Sequence, residues 1–104
     1  MEFCRWSYKE PLILNKFGIP EPKFCKATFP DVLLVPLVGF DQKRYRIGYG
    51  GGYYDRYISR MKGKKNFISI GLAFDFQKVK RLPINKFDKK VDLIVTNKKI
   101  YKWE

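Results

Sequence analysis

The sequence predicts an α/β domain with a largely parallel sheet, and three observations carry that reading. Residues 32–38 form a continuous apolar run, residues 48–52 hold four glycines ahead of an amphipathic stretch, and further apolar runs follow at 67–72 and 91–96. Strand, glycine loop, helix, strand, short helix, strand is the order that lays successive strands side by side through helical crossovers.

Each element has its own local signal. Met1, Phe3 and Arg5 alternate with Glu2, Cys4 and Trp6, which predicts a short half-buried strand. Between residues 7 and 30, Pro11, Pro20, Pro22 and Pro30 together with Gly18 prevent a helix of useful length, so an extended connection is expected. Val32, Leu33, Leu34, Val35, Leu37 and Val38 read as a central strand covered on both faces, ending or bulging at Pro36. A polar turn spans residues 42–45. A helix follows from near Gly52 to Met61, with Tyr54, Tyr57, Ile58 and Met61 on its apolar face. Gly63 and the surrounding lysines end it. Residues 67–72 predict a second buried strand, 74–79 a short irregular or helical turn, 91–96 a third strand and 100–103 an edge element.

Composition narrows the chemistry. At 104 residues the chain is expected to form a single domain, residues 1–104, with one modest core. Hydrophobic residues at 45% and aromatics at 17% exclude the composition of a disordered chain. No apolar run approaches the ~20 residues that cross a bilayer, and the first ten residues lack the order of a signal peptide, so a soluble cytoplasmic protein is expected. Two cysteines, Cys4 and Cys25, are too few for a disulfide scaffold or a four-ligand zinc site, and there is no histidine. Any reaction must therefore run on carboxylates, lysines, arginines, tyrosines, backbone amides or a bound cofactor. The 22 cations against 10 anions leave +12, which favours polyanionic partners, although lysines in turn-like stretches also fit a plain solvated surface.

The glycine loop carries the sharpest functional signal. Without Cβ atoms, Gly48, Gly50, Gly51 and Gly52 can take positive φ and aim successive N–H groups at one anion, reinforced by the helix dipole. Phosphate is the natural ligand, and a plain turn is the alternative. No Lys-Ser or Lys-Thr follows, which excludes the Walker pattern, and no suitably spaced acid supports a dinucleotide fingerprint. Arg46 before the loop and Tyr53, Tyr54, Asp55 and Arg56 after it gather cations, hydroxyls and a carboxylate at its mouth. A carboxylate beside a phosphate cradle makes sense if Mg²⁺ lies between them, so Asp55 is a magnesium candidate; equally, it is a first-turn acid complementing the dipole.

These residues carry a resemblance. The stretch from Asp31 to Asp41, followed by Tyr45-Arg46-Ile47-Gly48-Tyr49-Gly50-Gly51-Gly52-Tyr53-Tyr54-Asp55-Arg56, resembles the signature of the 5-formyltetrahydrofolate cyclo-ligase family. Phe17-Gly18-Ile19-Pro20-Glu21-Pro22, Ile70-Gly71-Leu72-Ala73-Phe74-Asp75-Phe76-Gln77, and Leu82-Pro83 with Asp88, Val91-Asp92 and Ile94-Val95-Thr96 resemble further blocks of the family in the same order. The resemblance implies a three-layer, Rossmann-like, mostly parallel sheet flanked by helices, incomplete at its N-terminal side. It also implies an ATP- and Mg²⁺-dependent closure of 5-formyltetrahydrofolate to 5,10-methenyltetrahydrofolate, releasing ADP and phosphate. By that likeness Gly48, Tyr49, Gly50, Gly51, Gly52 and Tyr53 surround the ATP phosphates and Asp55 serves the metal. Arg46, Tyr54 and Arg56 act in catalysis, and Met1, Trp6 and Tyr54 face the folate. Such chemistry asks for positioning and charge neutralisation, which a histidine-free chain can supply.

The likeness has gaps. Family members are usually far longer, with an N-terminal portion bearing lysine and arginine for ATP, so the chain resembles the C-terminal part restarted at a methionine. Phe87 stands where many bacterial relatives have histidine, Lys86 interrupts local acidity and Asn97 replaces a common glutamate. Weak or absent activity of the isolated chain is therefore expected. Alternatives are a basic nucleic-acid-binding module, suggested by Lys43-Arg44-Tyr45-Arg46 and by Tyr53-Tyr54-Asp55-Arg56-Tyr57, and a noncatalytic half of a split enzyme. The family likeness makes folate and ATP the expected partners rather than nucleic acid or a membrane, with a homo-oligomer or a separately encoded N-terminal half as a protein partner.

Overall fold

A computed structural model describes residues 1–48, 50–84 and 88–102; the expectations for Tyr49, Lys86, Phe87 and Trp103 fall outside them. The chain divides into two compact units, Met1–Pro30 and Asp31–Glu104.

The first unit is built of two small hairpin-like pairs. β1 (Phe3–Arg5) runs antiparallel to β4 (Lys26–Thr28), with Cys4 opposite Ala27. The expected strand at the N-terminus is thus present but shorter. β2 (Leu12–Leu14) pairs with β3 (Pro20–Pro22), where a plain extended connection was expected. Proline is tolerated because a strand with a single partner needs ladder N–H groups on one side only. The β2–β3 turn is local chemistry: the Asn15 carboxamide accepts the N–H groups of Phe17 at 2.8 Å and Ile19 at 3.1 Å. Cys4 and Cys25 are joined in one disulfide, their Cα atoms 5.0 Å apart. Glu2, Cys4 and Cys25 bring ligand atoms within 4.8 Å of one another, but the bonded sulfurs are not thiolates.

The second unit contains a four-stranded mixed sheet in the order β10-β9-β8-β5. β5 (Val32–Val35), β8 (Ile68–Leu72) and β9 (Leu93–Val95) are mutually parallel, and β10 (Ile100–Lys102) closes the edge antiparallel to β9. Between β5 and β8 lie the two-residue strands β6 (Gly39–Phe40) and β7 (Arg46–Ile47), then the single α-helix of the described residues, α1 (Tyr53–Met61). A 3₁₀ turn, Asp75–Gln77, follows β8. The α/β class, the helix, the edge element and the short turn stand where the sequence places them. Helix α1 buries Tyr57 and Met61, while Tyr54 and Ile58 are half-buried.

Register decides which side chains form the core. Leu33 lies opposite Ser69, Val35 opposite Gly71, Gly71 opposite Ile94 and Ile94 opposite Tyr101, so these residues share one face. All are buried. Leu37, Phe40, Leu82 and Val91 complete the core, with Phe40 and Tyr101 edge to face at 5.2 Å. The other face behaves differently. Val32, Leu34, Ile68, Leu72 and Ile100 are about half exposed. The expected central strand covered on both sides is therefore corrected: β5 stands at the sheet edge and only its inward side chains are enclosed. Helical layers on both faces are likewise not seen among the described residues, where no second α-helix exists to cover the outer face.

Candidate functional site

β7 leads through Gly48 into a turn in which Gly50, Gly51 and Gly52 all have positive φ, at 96°, 79° and 63°. Gly51 shows why glycine is required: besides its φ, a Cβ there would lie 2.6 Å from the Tyr53 ring. Gly52 is the N-cap of α1, with no side chain capping the first turn. The N–H groups at the head of the helix are therefore available to a ligand, and the dipole favours an anion there.

Arg46 is placed at this turn from β7. Its side chain is 5% exposed, and its Nη2 lies 3.5 Å from Asp55 Oδ1. The guanidinium sits 5.6 Å from the Tyr54 ring centroid, and a Cβ at Gly48 would meet Arg46 Nη1 at 2.6 Å, so only glycine lets the arginine occupy this position. Arg46 Nε is buried without an acceptor among the described residues. A buried unpaired donor on a cation is costly unless a ligand completes it. Arg56, one helical turn on, donates to the Gly51 carbonyl and lies over the Tyr53 ring at 5.1 Å.

Asp55 faces the same space from the first turn of α1. Its Oδ1 also accepts the Lys89 N–H at 3.3 Å, while Oδ2 accepts no hydrogen bond from the described residues. Asp88 lines the same cavity, of about 390 Å³, together with Pro36, Arg46, Gly48, Gly52 and Asp55. This second carboxylate appeared in the sequence only as part of a C-terminal motif.

A second cavity of about 660 Å³ adjoins this one in its lining residues. Leu34, Leu72, Phe74 and Gln77 line it, and Pro36 and Tyr54 border both. It lies beyond the C-terminal ends of β5 and β8, where open α/β sheets receive their ligands. Its apolar wall was missed in the sequence because Leu34 reads there as core.

The sequence candidates distribute as follows. Arg46, Gly48, Gly50, Gly51, Gly52, Tyr53, Tyr54, Asp55 and Arg56 are brought together around the glycine turn. Met1 and Trp6 belong to the first unit, about two-fifths exposed, with the Trp6 indole donating to the Glu10 carbonyl at 3.1 Å.

A parallel β-α-β crossover with a glycine turn, a buried arginine and a carboxylate at the head of its helix defines an α/β protein equipped to hold an anionic ligand at that turn. The comparisons with known proteins make this particular. The model of the 5-formyltetrahydrofolate cyclo-ligase family matches residues 1–97, and the chain belongs to that family. It is 42% identical over 91 residues to a 5-formyltetrahydrofolate cyclo-ligase of Haemophilus influenzae, covering 83% of this chain and 48% of that one. With the Escherichia coli K12 enzyme of the same name it shares 35% identity over 106 residues, covering 97% and 58%. The solution structure of Aquifex aeolicus 5,10-methenyltetrahydrofolate synthetase superposes with a TM-score of 0.73 at 38% identity, covering 92% of this chain and 48% of that one. The Mycoplasma pneumoniae synthetase gives 0.64 at 33% identity, covering 84% and 54%. The chain spans about half the length of the relatives it matches.

Proposed function

We propose that the chain carries the phosphate-binding and substrate-facing part of a 5-formyltetrahydrofolate cyclo-ligase, acting with ATP and Mg²⁺ to close 5-formyltetrahydrofolate to 5,10-methenyltetrahydrofolate. The observation that carries this reading is the pair of cavities bordered by Tyr54 and Pro36: one is lined by the glycine turn, Asp55, Asp88 and Arg46, whose Nε has no acceptor among the described residues, and the other is walled by Leu34, Leu72 and Phe74. A reaction between a polyphosphate and a folate, whose ring system has polar edges and faces that pack on apolar side chains, needs such neighbours.

In this reading the formyl oxygen attacks the γ-phosphorus, the bond to the ADP oxygen breaks, N10 adds to the activated carbon and gives up its proton to water, and phosphate leaves. The N–H groups of Gly50, Gly51, Gly52 and Tyr53, with Tyr49 as the family likeness assigns it, hold the phosphates. Arg46 and Arg56 balance negative charge on the phosphoryl oxygens. Tyr54 orients the folate ring, and Met1 and Trp6 remain folate-facing candidates by family likeness. The carboxylates fit a hard cation, since Asp55 Oδ2 has no donor among the described residues and Asp88 lines the same cavity. When bound, Mg²⁺ would neutralise phosphate charge there.

The expected setting is the cytoplasm, and among the described residues no helix is long and apolar enough to cross a membrane. The exposed outer face of the sheet favours a second form of the same reading, in which another copy or another polypeptide completes the enzyme and the isolated chain turns over weakly. The test is growth of the methenyl product's absorbance with 5-formyltetrahydrofolate, Mg²⁺ and ATP, beside an ATP-free control and Asp55→Asn. ATP-dependent growth abolished in the variant supports the reading for the chain alone. A folded chain that neither turns over nor binds ATP with Mg²⁺ would sink it, whereas ATP binding without turnover selects the completed form.

A further inference from the structure

Of the net charge of +12, residues 31–104 carry +10, from 17 Lys and Arg against 7 Asp and Glu, and it is not spread uniformly over them. A groove of about 1050 Å³ gathers seven cations: Lys43 and Arg44 from the β6–β7 turn, Lys80 and Arg81 after the 3₁₀ turn, Lys90 before β9, and Lys99 and Lys102 from β10 and its approach. Its lining differs from that of the glycine-turn cavity. None of the seven forms an ion pair with a carboxylate among the described residues. The groove's one acid, Asp41, is engaged by the main chain: Oδ1 accepts the N–H groups of Lys43 at 2.9 Å and Tyr45 at 3.2 Å, and Oδ2 that of Leu82 at 3.3 Å. It anchors the turn and answers none of the cations.

Two features fix these charges in place. Arg44 has a φ of 71°, held by its N–H to the Asp41 carbonyl at 3.0 Å and by Nε to the Val91 carbonyl at 3.0 Å. Its remaining guanidinium donors take no partner among the described residues. Lys99 lies 4.5 Å from the Tyr101 ring centroid and Lys90 lies 5.9 Å from that of Tyr45, so their ammonium groups rest on aromatic rings rather than on anions.

We propose that this groove binds the phosphodiester backbone of nucleic acid, at a surface separate from the site of the proposed cyclo-ligase reaction. A phosphodiester chain presents repeated negative charge and asks only for cations and donors. An acidic peptide would also bring backbone N–H groups, for which the groove's one carboxylate, already accepting three main-chain N–H groups, offers little remaining acceptor capacity. Tyr101, the groove's aromatic ring, is buried beneath Lys78 and Lys99 and offers no platform for base stacking, so binding is independent of sequence.

The test is fluorescence anisotropy of a labelled oligouridylate of about 20 nucleotides with the full chain, titrated across KCl. Saturable binding that weakens about 50-fold between about 50 and about 200 mM salt is expected, as for about four neutralised phosphates on a single strand. K80E/R81E/K99E, and the milder K80Q/R81Q/K99Q, should bind at least about 10-fold more weakly, with the salt slope of the neutral variant reduced by about 2. K9E/K16E/K23E, which makes the same charge change in Met1–Pro30, should stay within about threefold of the parent. Circular dichroism establishes that each variant is folded, and ATP binding with Mg²⁺ at the glycine turn should be unchanged in all of them. Equal losses in the groove and control variants would overturn the proposal by making binding a property of net charge alone. Displacement by poly-glutamate as effective as by unlabelled oligouridylate at equal charge would overturn it in favour of an acidic-peptide site, and absence of saturable binding would overturn it outright.

Discussion

The two faces of the four-stranded sheet are both apolar, yet they do different things. Leu33, Val35 and Ile94 on the inner face are at most 1% exposed and pack around Gly71, where an added Cβ would meet Leu37 at 3.0 Å and Ile94 at 3.3 Å. Leu34 and Leu72 on the outer face are 55% and 50% exposed, and both line the apolar cavity shared with Pro36 and Tyr54. One face holds the unit together. The other supplies, at the C-terminal ends of its strands, a surface for something else to cover.

The largest effect should come from truncating the inner face. Leu33→Ala or Ile94→Ala removes a fully enclosed side chain and leaves a cavity, costing about 2–5 kcal/mol in urea unfolding. A cost as small as that of an outer-face change would mean that the faces are not divided as described. Gly71→Ala approaches the same core from the opposite direction. It overfills the space between Leu37 and Ile94 and should cost about 1–3 kcal/mol, unless the Leu37 side chain gives way.

What was legible in the sequence follows the range of the interactions. The glycine turn, the helix after it and the apolar runs are local patterns, and each appears within a residue or two of its expected bounds. The face assignment of Leu34 was not legible, because a continuous apolar run reads as enclosed on both sides whether or not a second layer is present. Of the strands of Met1–Pro30, β1 was legible from its alternation, whereas β2, β3 and β4 were missed because three-residue strands, one of them with prolines at both ends, leave no periodic signal. Pairing of Cys4 with Cys25 and the arrival of Asp88 in the cavity of Asp55 are long-range facts that no spacing rule encodes. Arg46 and Asp55 were found as neighbours of the glycines; that Arg46 is buried with an unpaired Nε emerges only from the fold.

A smaller effect tests the edge of the inner face. Tyr101 is buried there and donates to Asp75 Oδ1 at 3.0 Å; burial first, then that hydrogen bond and the Asp75 charge, raise its phenol above the ordinary value of 10.0. A raised folded value means that the neutral phenol is the form the fold favours. The contribution is complete below the unfolded pKa of about 10 and is lost as pH rises through the higher folded value. Tyr101→Phe should therefore cost about 0.5–1.5 kcal/mol at pH 7 and flatten the decline of stability in alkali. An alkaline decline as steep in the variant as in the parent would place its origin elsewhere.

The smallest change in stability, and the sharpest contrast, belongs to Leu34→Thr. Threonine keeps the β preference of the strand and removes apolar surface from a position already 55% exposed, so unfolding should shift by no more than about 0.5 kcal/mol. Its consequence should fall on binding instead. If the folate ring covers Leu34 in the apolar cavity, each methylene no longer covered weakens binding by about 0.8 kcal/mol, or about fourfold. A raised KM for 5-formyltetrahydrofolate beside an unchanged urea midpoint would separate the work of the two faces in one substitution. Loss of stability with unchanged KM would place Leu34 in the core after all, and the apolar cavity would no longer explain why this face is left open.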